Sequence, residues 1–112
     1  MEVSTKRMKN CSVIEVSGRI DSATAPQLAG ALKALTDDGI FKIVLDMNGV
    51  EFTSSAGMRV MIDVQKKCNQ FGRGDLVLAA VPQRVMEALE LGGFDMIFRF
   101  FDTPVEAVGS FV

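Results

Sequence analysis

Phe52-Thr53-Ser54-Ser55-Ala56-Gly57-Met58-Arg59 sets two serines and an arginine where a strand-like part of the chain gives way to an amphipathic one. The strand-like run is Lys42-Ile43-Val44-Leu45-Asp46-Met47, and the amphipathic stretch continues to about Phe71. Small hydroxyl side chains at such a junction cap a helix, because their oxygens accept hydrogen bonds from its unsatisfied first N–H groups. The same donors, with the positive end of the helix dipole, favour a doubly charged anion such as phosphate. A serine in that first turn is therefore a cap, a switch, or both.

Each residue turns an α-helix by roughly 100°. On that spacing Gly57, Val60, Met61, Val64, Cys68 and Phe71 form the core stripe. Ser55 falls opposite them, on the solvent side, beside Met58, Arg59, Ile62 and Lys66. Met58 and Ile62 would then flank an exposed serine on a face the core does not need. Scattered exposed apolar residues are normal and need no function. A modifiable serine within a small apolar patch is nevertheless suited to a docking surface gated by charge.

Other chemistry is poorly supplied. There is no histidine, so the usual base for a serine nucleophile and the commonest metal ligand are missing. Cys11 lies in a strand pattern and Cys68 on a helix core stripe, and the pair has no metal-type spacing, so both read as small buried hydrophobes. Gly72-Arg73-Gly74 reads as a helix stop and turn, and no phosphate-binding glycine loop occurs. A serine hydrolase using Ser55 is the enzymatic alternative, and it lacks both a base and a nucleophile-elbow motif. The expectation is a protein that is not an enzyme, with no cofactor and no metal site.

With 112 residues the chain suits one domain, spanning 1–112, able to bury ~65% of its unfolded surface. Hydrophobic content of 48% and a net charge of −2 argue against disorder and against nucleic-acid binding. No apolar run approaches the ~18 residues of a membrane span, and the N-terminus lacks the apolar segment of a secretory signal. A cytoplasmic protein, a monomer or weak dimer that binds neither nucleic acid nor membrane, is expected.

The elements that must position the serines alternate between strand and helix. Val3–Met8 and Ser12–Ser17 read as neighbouring strands joined by a turn at Lys9-Asn10. Asp21 or Ser22 caps a helix that starts near Thr24, with Pro26 in its first turn and a stripe of Leu28, Ala31, Leu32 and Leu35. The apolar strands Ile43–Met47 and Asp75–Val81 bracket the Ser55 helix. Pro82 opens a helix through Leu91 that stops at Gly92-Gly93; a short strand, Ile97–Phe101, and a terminal helical turn follow. This is an α/β domain with a central mixed sheet of about four to five strands, the later ones parallel, packed by about four helices.

Several of these segments together resemble the STAS domain, in particular the small bacterial anti-sigma-factor antagonists that consist of that domain alone. The matching residues are Gly18-Arg19-Ile20-Asp21 with Thr24-Ala25-Pro26-Gln27-Leu28, Ile43–Met47, Val50–Val60, Val81-Pro82 and Leu91-Gly92-Gly93-Phe94. The resemblance implies a partner-switching regulator. The unphosphorylated antagonist binds an anti-sigma factor that is itself a serine kinase, phosphorylation on Ser55 releases it, and a PP2C-type phosphatase restores it. By position Asp21 corresponds to a family residue near the phosphorylation site that contributes to partner contact. Gly18, Arg19, Thr53, Ser54, Met58, Arg59 and Ile62 complete the implied partner-binding set. Ser54 stands where the family more often has aspartate, which leaves Ser54 as an alternative acceptor; Ala56 replaces a second hydroxyl residue, and Arg59 a glycine. The other reading is a non-phosphorylated STAS scaffold, an accessory subunit of a transport or stress-signalling assembly.

Overall fold

The computed structural model describes residues 1–112. Its elements are β1 (Glu2–Arg7), β2 (Ser12–Ile20), α1 (Ala25–Asp37), β3 (Lys42–Thr53), α2 (Ser55–Asn69), β4 (Asp75–Ala79), α3 (Gln83–Leu91), β5 (Phe100–Phe101) and α4 (Pro104–Gly109). Single 3-10 turns occupy Gln70–Gly72 and Phe94–Met96. The strands form one sheet in the order β1-β2-β3-β4-β5, with β1 antiparallel to β2 and every later pair parallel. A mixed five-stranded sheet with four helices is what the residue pattern predicts.

The strands read as apolar runs because helices cover both faces of the sheet. Side chains alternate across a strand, so Ile43, Leu45, Met47, Leu76 and Leu78 enter the larger core beneath α1, α2 and α3. Val44, Val77 and Ala79 point the other way, into a smaller core closed by Ala107 of α4. Burying each of these larger side chains contributes about 1.5–3 kcal/mol. Cys68 belongs to the larger core and Cys11 to the smaller, and burial pushes both thiols up, Cys68 to about 11. Both cysteines are thus the buried hydrophobes expected of them.

Element bounds depart from the sequence expectation at five elements. β2 runs on to Ile20 and β3 to Thr53, because the two strands keep pairing through register shifts next to Ser17 and Arg19 that alternation alone does not reveal. β4 stops at Ala79, since Ala80 takes a left-handed φ of 54° that a strand cannot continue through. Pro82 sits outside α3 as its N-cap, in extended conformation. The final strand shrinks to Phe100–Phe101, because the turn at Phe94–Met96 and the residues after it fill the space before it.

Candidate functional site

The extra length of β3 is what builds the serine junction. Pairing with β4 ends at Asp46–Ala79, so beyond that point β3 is held by β2 alone, through Ser17–Gly49, Gly18–Val50, Arg19–Phe52 and Ile20–Thr53. The Ser54 N–H donates to the Ile20 carbonyl at 2.8 Å and ties the start of α2 to the end of β2. Gly57 lets that first turn close down. A Cβ there would lie 2.5 Å from Ile20 Cγ2 and 2.6 Å from Thr53 Oγ1, distances that real Cβ atoms do not adopt.

The two serines divide the roles left open by the sequence. Ser54 is the N-cap, in extended conformation, and its Oγ accepts from the Gly57 N–H at 3.5 Å. Ser55 is the first helical residue and is exposed. Its hydroxyl has no hydrogen-bond partner in the protein, so Ser55 is free of the capping duty. Next to it runs an open groove between α1 and α2, bordered by Ser22, Pro26, Arg59 and Asp63. Arg59 is exposed, one turn along from Ser55, and forms none of the chain's three ion pairs, which are Arg7–Asp38, Lys33–Asp37 and Arg99–Asp75.

The loop after β2 is fixed by hydrogen bonds. Just before it, within β2 at the register shift, Gly18 has φ +92°, the left-handed region that favours glycine. The Asp21 carboxylate accepts from the N–H groups of Ala23 at 3.0 Å and Thr24 at 3.1 Å and from the Thr24 hydroxyl at 3.2 Å. The Thr24 hydroxyl in turn accepts from the Asp21 N–H at 2.9 Å. The Thr24 N–H is the main cause that holds the Asp21 carboxyl below its ordinary range; the Ala23 N–H, the Thr24 hydroxyl and the charge of Arg19 act in the same direction. Arg19 lays its guanidinium over the exposed Phe52 ring at 4.5 Å. Nothing in the residue pattern marks Phe52 for this surface, because the apolar run ends at Met47 and leaves open which way residue 52 faces.

The residues expected to contact a partner therefore separate. Ser55, Arg19 and Arg59 are exposed, Ser54 and Asp21 are half-buried, and Gly18 is half-buried farther back along β2, against Met1. Met58 is not on this surface: it is 7% exposed and belongs to the larger core. Thr53 is also buried, beneath the helix start. Ile62 is half-buried and packs against the core, although it borders a shallow groove with Lys66, Gln70 and Ile97.

The cause is the phase of α2. Its buried residues are Gly57, Met58, Met61, Val64, Gln65 and Cys68, a stripe turned about 50° from the expected one. Two residues account for the difference. Phe71 lies past the helix end at φ 58° and is 86% exposed. Gln65 is buried although polar, because its amide binds the start of β4 and the Ile97 carbonyl: Nε2 donates to Asp75 Oδ1 at 2.8 Å and to the carbonyls of Leu76 at 3.0 Å and Ile97 at 3.2 Å, while Oε1 accepts from the Leu76 N–H at 2.7 Å. Ser55 stays exposed in the corrected phase, about 120° from the stripe's centre.

Known proteins are similar to this chain in sequence and fold. The sequence profile of the STAS domain matches residues 2–107. BtrV of Bordetella bronchiseptica, provisionally named an anti-sigma factor antagonist, is 32% identical over 99% of this chain and 95% of its own length. RsfB of Mycobacterium tuberculosis, named an anti-sigma-F factor antagonist, is 30% identical over 87% of this chain and 78% of its own. The crystal structure of an anti-sigma factor antagonist from Mycobacterium paratuberculosis superposes with a TM-score of 0.88 at 26% identity, covering 98% of this chain and 92% of that one. No helix here is long and apolar enough to cross a membrane.

Proposed function

This chain belongs to the STAS domain family, and on that footing we propose that it is an anti-sigma-factor antagonist that works by partner switching, with Ser55 as its phosphorylated residue. Unphosphorylated, it binds an anti-sigma factor serine kinase; phosphorylation releases it, and a PP2C-type phosphatase resets it. The observation that carries the choice of Ser55 is the division of labour at the start of α2. Ser54 is half-buried and occupied as the cap, while Ser55 is exposed with an unengaged hydroxyl.

The physical consequence of the modification follows from its place. A phosphate adds about −1.5 to −2 charges at neutral pH. At a helix N-terminus the dipole favours that charge by about 0.3–1 kcal/mol, and Arg59 one turn along can pair with it, so the fold tolerates the modification. The penalty falls on the complex. A partner seated over Ser55, Arg59 and the Arg19–Phe52 pair would have to desolvate a dianion. A loss of ~3 kcal/mol there corresponds to roughly a hundredfold weaker binding.

Two measurements test this. Incubation with the cognate kinase and ATP, followed by peptide mass spectrometry, should place the phosphate on Ser55; phosphate on Ser54 alone would sink the assignment. Calorimetric titration of Ser55→Asp against the anti-sigma factor should show roughly a hundredfold lost affinity at a nearly unchanged melting midpoint. A large drop in midpoint would mean that Ser55 is structural.

A further inference from the structure

A second concentration of uncommitted chemistry lies at the other end of the parallel strands, about 25 Å along β2 from the serine junction at a rise of ~3.3 Å per residue. There the β1–β2 turn, the α1–β3 loop and the segment before β4 enclose an open pocket of about 340 Å³. Arg7, Lys9, Lys42 and Arg73 line it, and no carboxylate does. These are four of the chain's 12 Lys and Arg, gathered in one concavity of a protein whose net charge is −2. Asp38 balances only Arg7, at 2.6 Å; Lys9, Lys42 and Arg73 take part in no ion pair.

The pocket is also built, beyond being charged. A Cβ on Gly74 would lie 2.1 Å from the Phe41 carbonyl oxygen, and the Asp75 N–H donates to that oxygen at 2.9 Å, so the segment carrying Arg73 is pressed against Phe41. The Arg73 guanidinium consequently stacks on the Phe41 ring at 4.0 Å, while Nε and Nη2 donate to the Gln70 carbonyl at 3.2 Å and to Gln70 Oε1 at 3.3 Å. Those contacts orient the fork and leave Nη1 without a protein acceptor. Ser12 supplies an independent sign. It lines the pocket, is 1% exposed, and makes no side-chain hydrogen bond. No fully sealed side-chain polar atom in the protein lacks a partner, so the small exposed remnant of Ser12 is its hydroxyl, opening into the pocket.

We propose that this pocket binds a small multivalent oxyanion, a phosphate group or short polyphosphate bearing two or more negative charges. An oriented guanidinium gives such an ion directional hydrogen bonds, the two unpaired lysines give it point charges, and the Ser12 hydroxyl gives it a further donor. The volume is at the lower end of that of small-ligand sites. The site is separate from the serine junction and stands or falls without it.

Pyrophosphate titrated into the isotope-labelled protein and followed by amide NMR shifts is the test. Saturable shifts should appear at residues 7–12, 39–42 and 72–74 and leave Ser54–Gly57 unmoved. Lys42→Gln and Lys9→Gln, both at exposed positions, should each weaken binding roughly tenfold, Ser12→Ala roughly threefold, and Lys33→Gln, paired elsewhere, not at all. Thermal midpoints of the same variants separate lost binding from lost folding. Sedimentation with vesicles of anionic phospholipid distinguishes a headgroup from a free ion as the source of the phosphate; either one supports the site if Lys42→Gln loses it. No saturable shift at millimolar pyrophosphate, or equal affinity in Lys42→Gln, overturns the proposal.

Discussion

The two ends of the parallel sheet manage polar chemistry in opposite ways. Where β2 and β3 finish, the groups that build the frame are engaged: Ser54 caps, Asp21 and Thr24 bind each other, and Ser54 N–H holds Ile20. The hydroxyls of Ser55 and Ser22 and the guanidinium of Arg59 are left over. Where the same strands begin, the charges are left over, with three cations unpaired around one hollow. An end with spare hydroxyls and a free cation on a hydrogen-bonded frame suits a covalent change of charge. An end with spare fixed charges suits a diffusible one. The contrast rests on rigidity at the serine end, which is where substitutions test it hardest.

Gly57→Val should have the largest effect. Its side chain would enter space held by Ile20 and Thr53, and overpacking of that kind costs about 1–3 kcal/mol or more. A fall in the urea midpoint of that size is expected; an unchanged midpoint would mean that the helix start yields and the frame is soft. Met58→Ala follows, at about 2–3 kcal/mol, since it empties a core position, whereas half-buried Ile62→Ala should cost about 1 kcal/mol. Equal costs at the two positions would put α2 back in the phase that the hydrophobic pattern suggests.

That phase is also where legibility ended. The element order, the parallel strands and the exposure of Ser55 can all be read from the chain, because Ile43–Met47 and Asp75–Ala79 are strongly apolar and Ser55 clears the core in either phase. The tilt of the stripe could not be read. Periodicity weighs polarity, so it includes Phe71, which lies past the helix end in a left-handed conformation, and omits Gln65, which is buried by four hydrogen bonds to Asp75, Leu76 and Ile97. Likewise β3 past Met47 contains Asn48, Gly49 and Glu51, and its pairing comes from β2, a partner distant in sequence. The cationic pocket was invisible for the same reason: Arg7, Lys42 and Arg73 meet only in the fold.

A smaller effect separates the two serines. Ser54→Ala removes a long cap bond and should lower stability by about 0.5–1 kcal/mol, while Ser55→Ala should change it by less than about 0.5 kcal/mol. Chemical denaturation of the two variants side by side measures this. The reverse order would hand the capping role to Ser55 and the free hydroxyl to Ser54.

The smallest effect is a pH dependence at Asp21. Its carboxyl sits below the ordinary value of 3.8, chiefly because the charged form accepts from the Thr24 N–H, with the Ala23 N–H, the Thr24 hydroxyl and Arg19 assisting. A depressed folded value means that this stabilisation is complete above the unfolded value and is lost as pH falls through the lower, folded one. Asp21→Asn keeps an acceptor oxygen but not the charge. The wild type should therefore be the more stable of the two at about pH 5, and its advantage should shrink progressively as the pH drops below 3.8. Other carboxylates titrate over the same range, so the difference between the two proteins is the quantity to follow, by urea unfolding at matched ionic strength. A difference that does not vary with pH would show that the carboxylate gains nothing from its loop on folding. Asp21 would then be as uncommitted as Ser55, and the contrast between a hydrogen-bonded frame at one end of the sheet and free charge at the other would have to be redrawn.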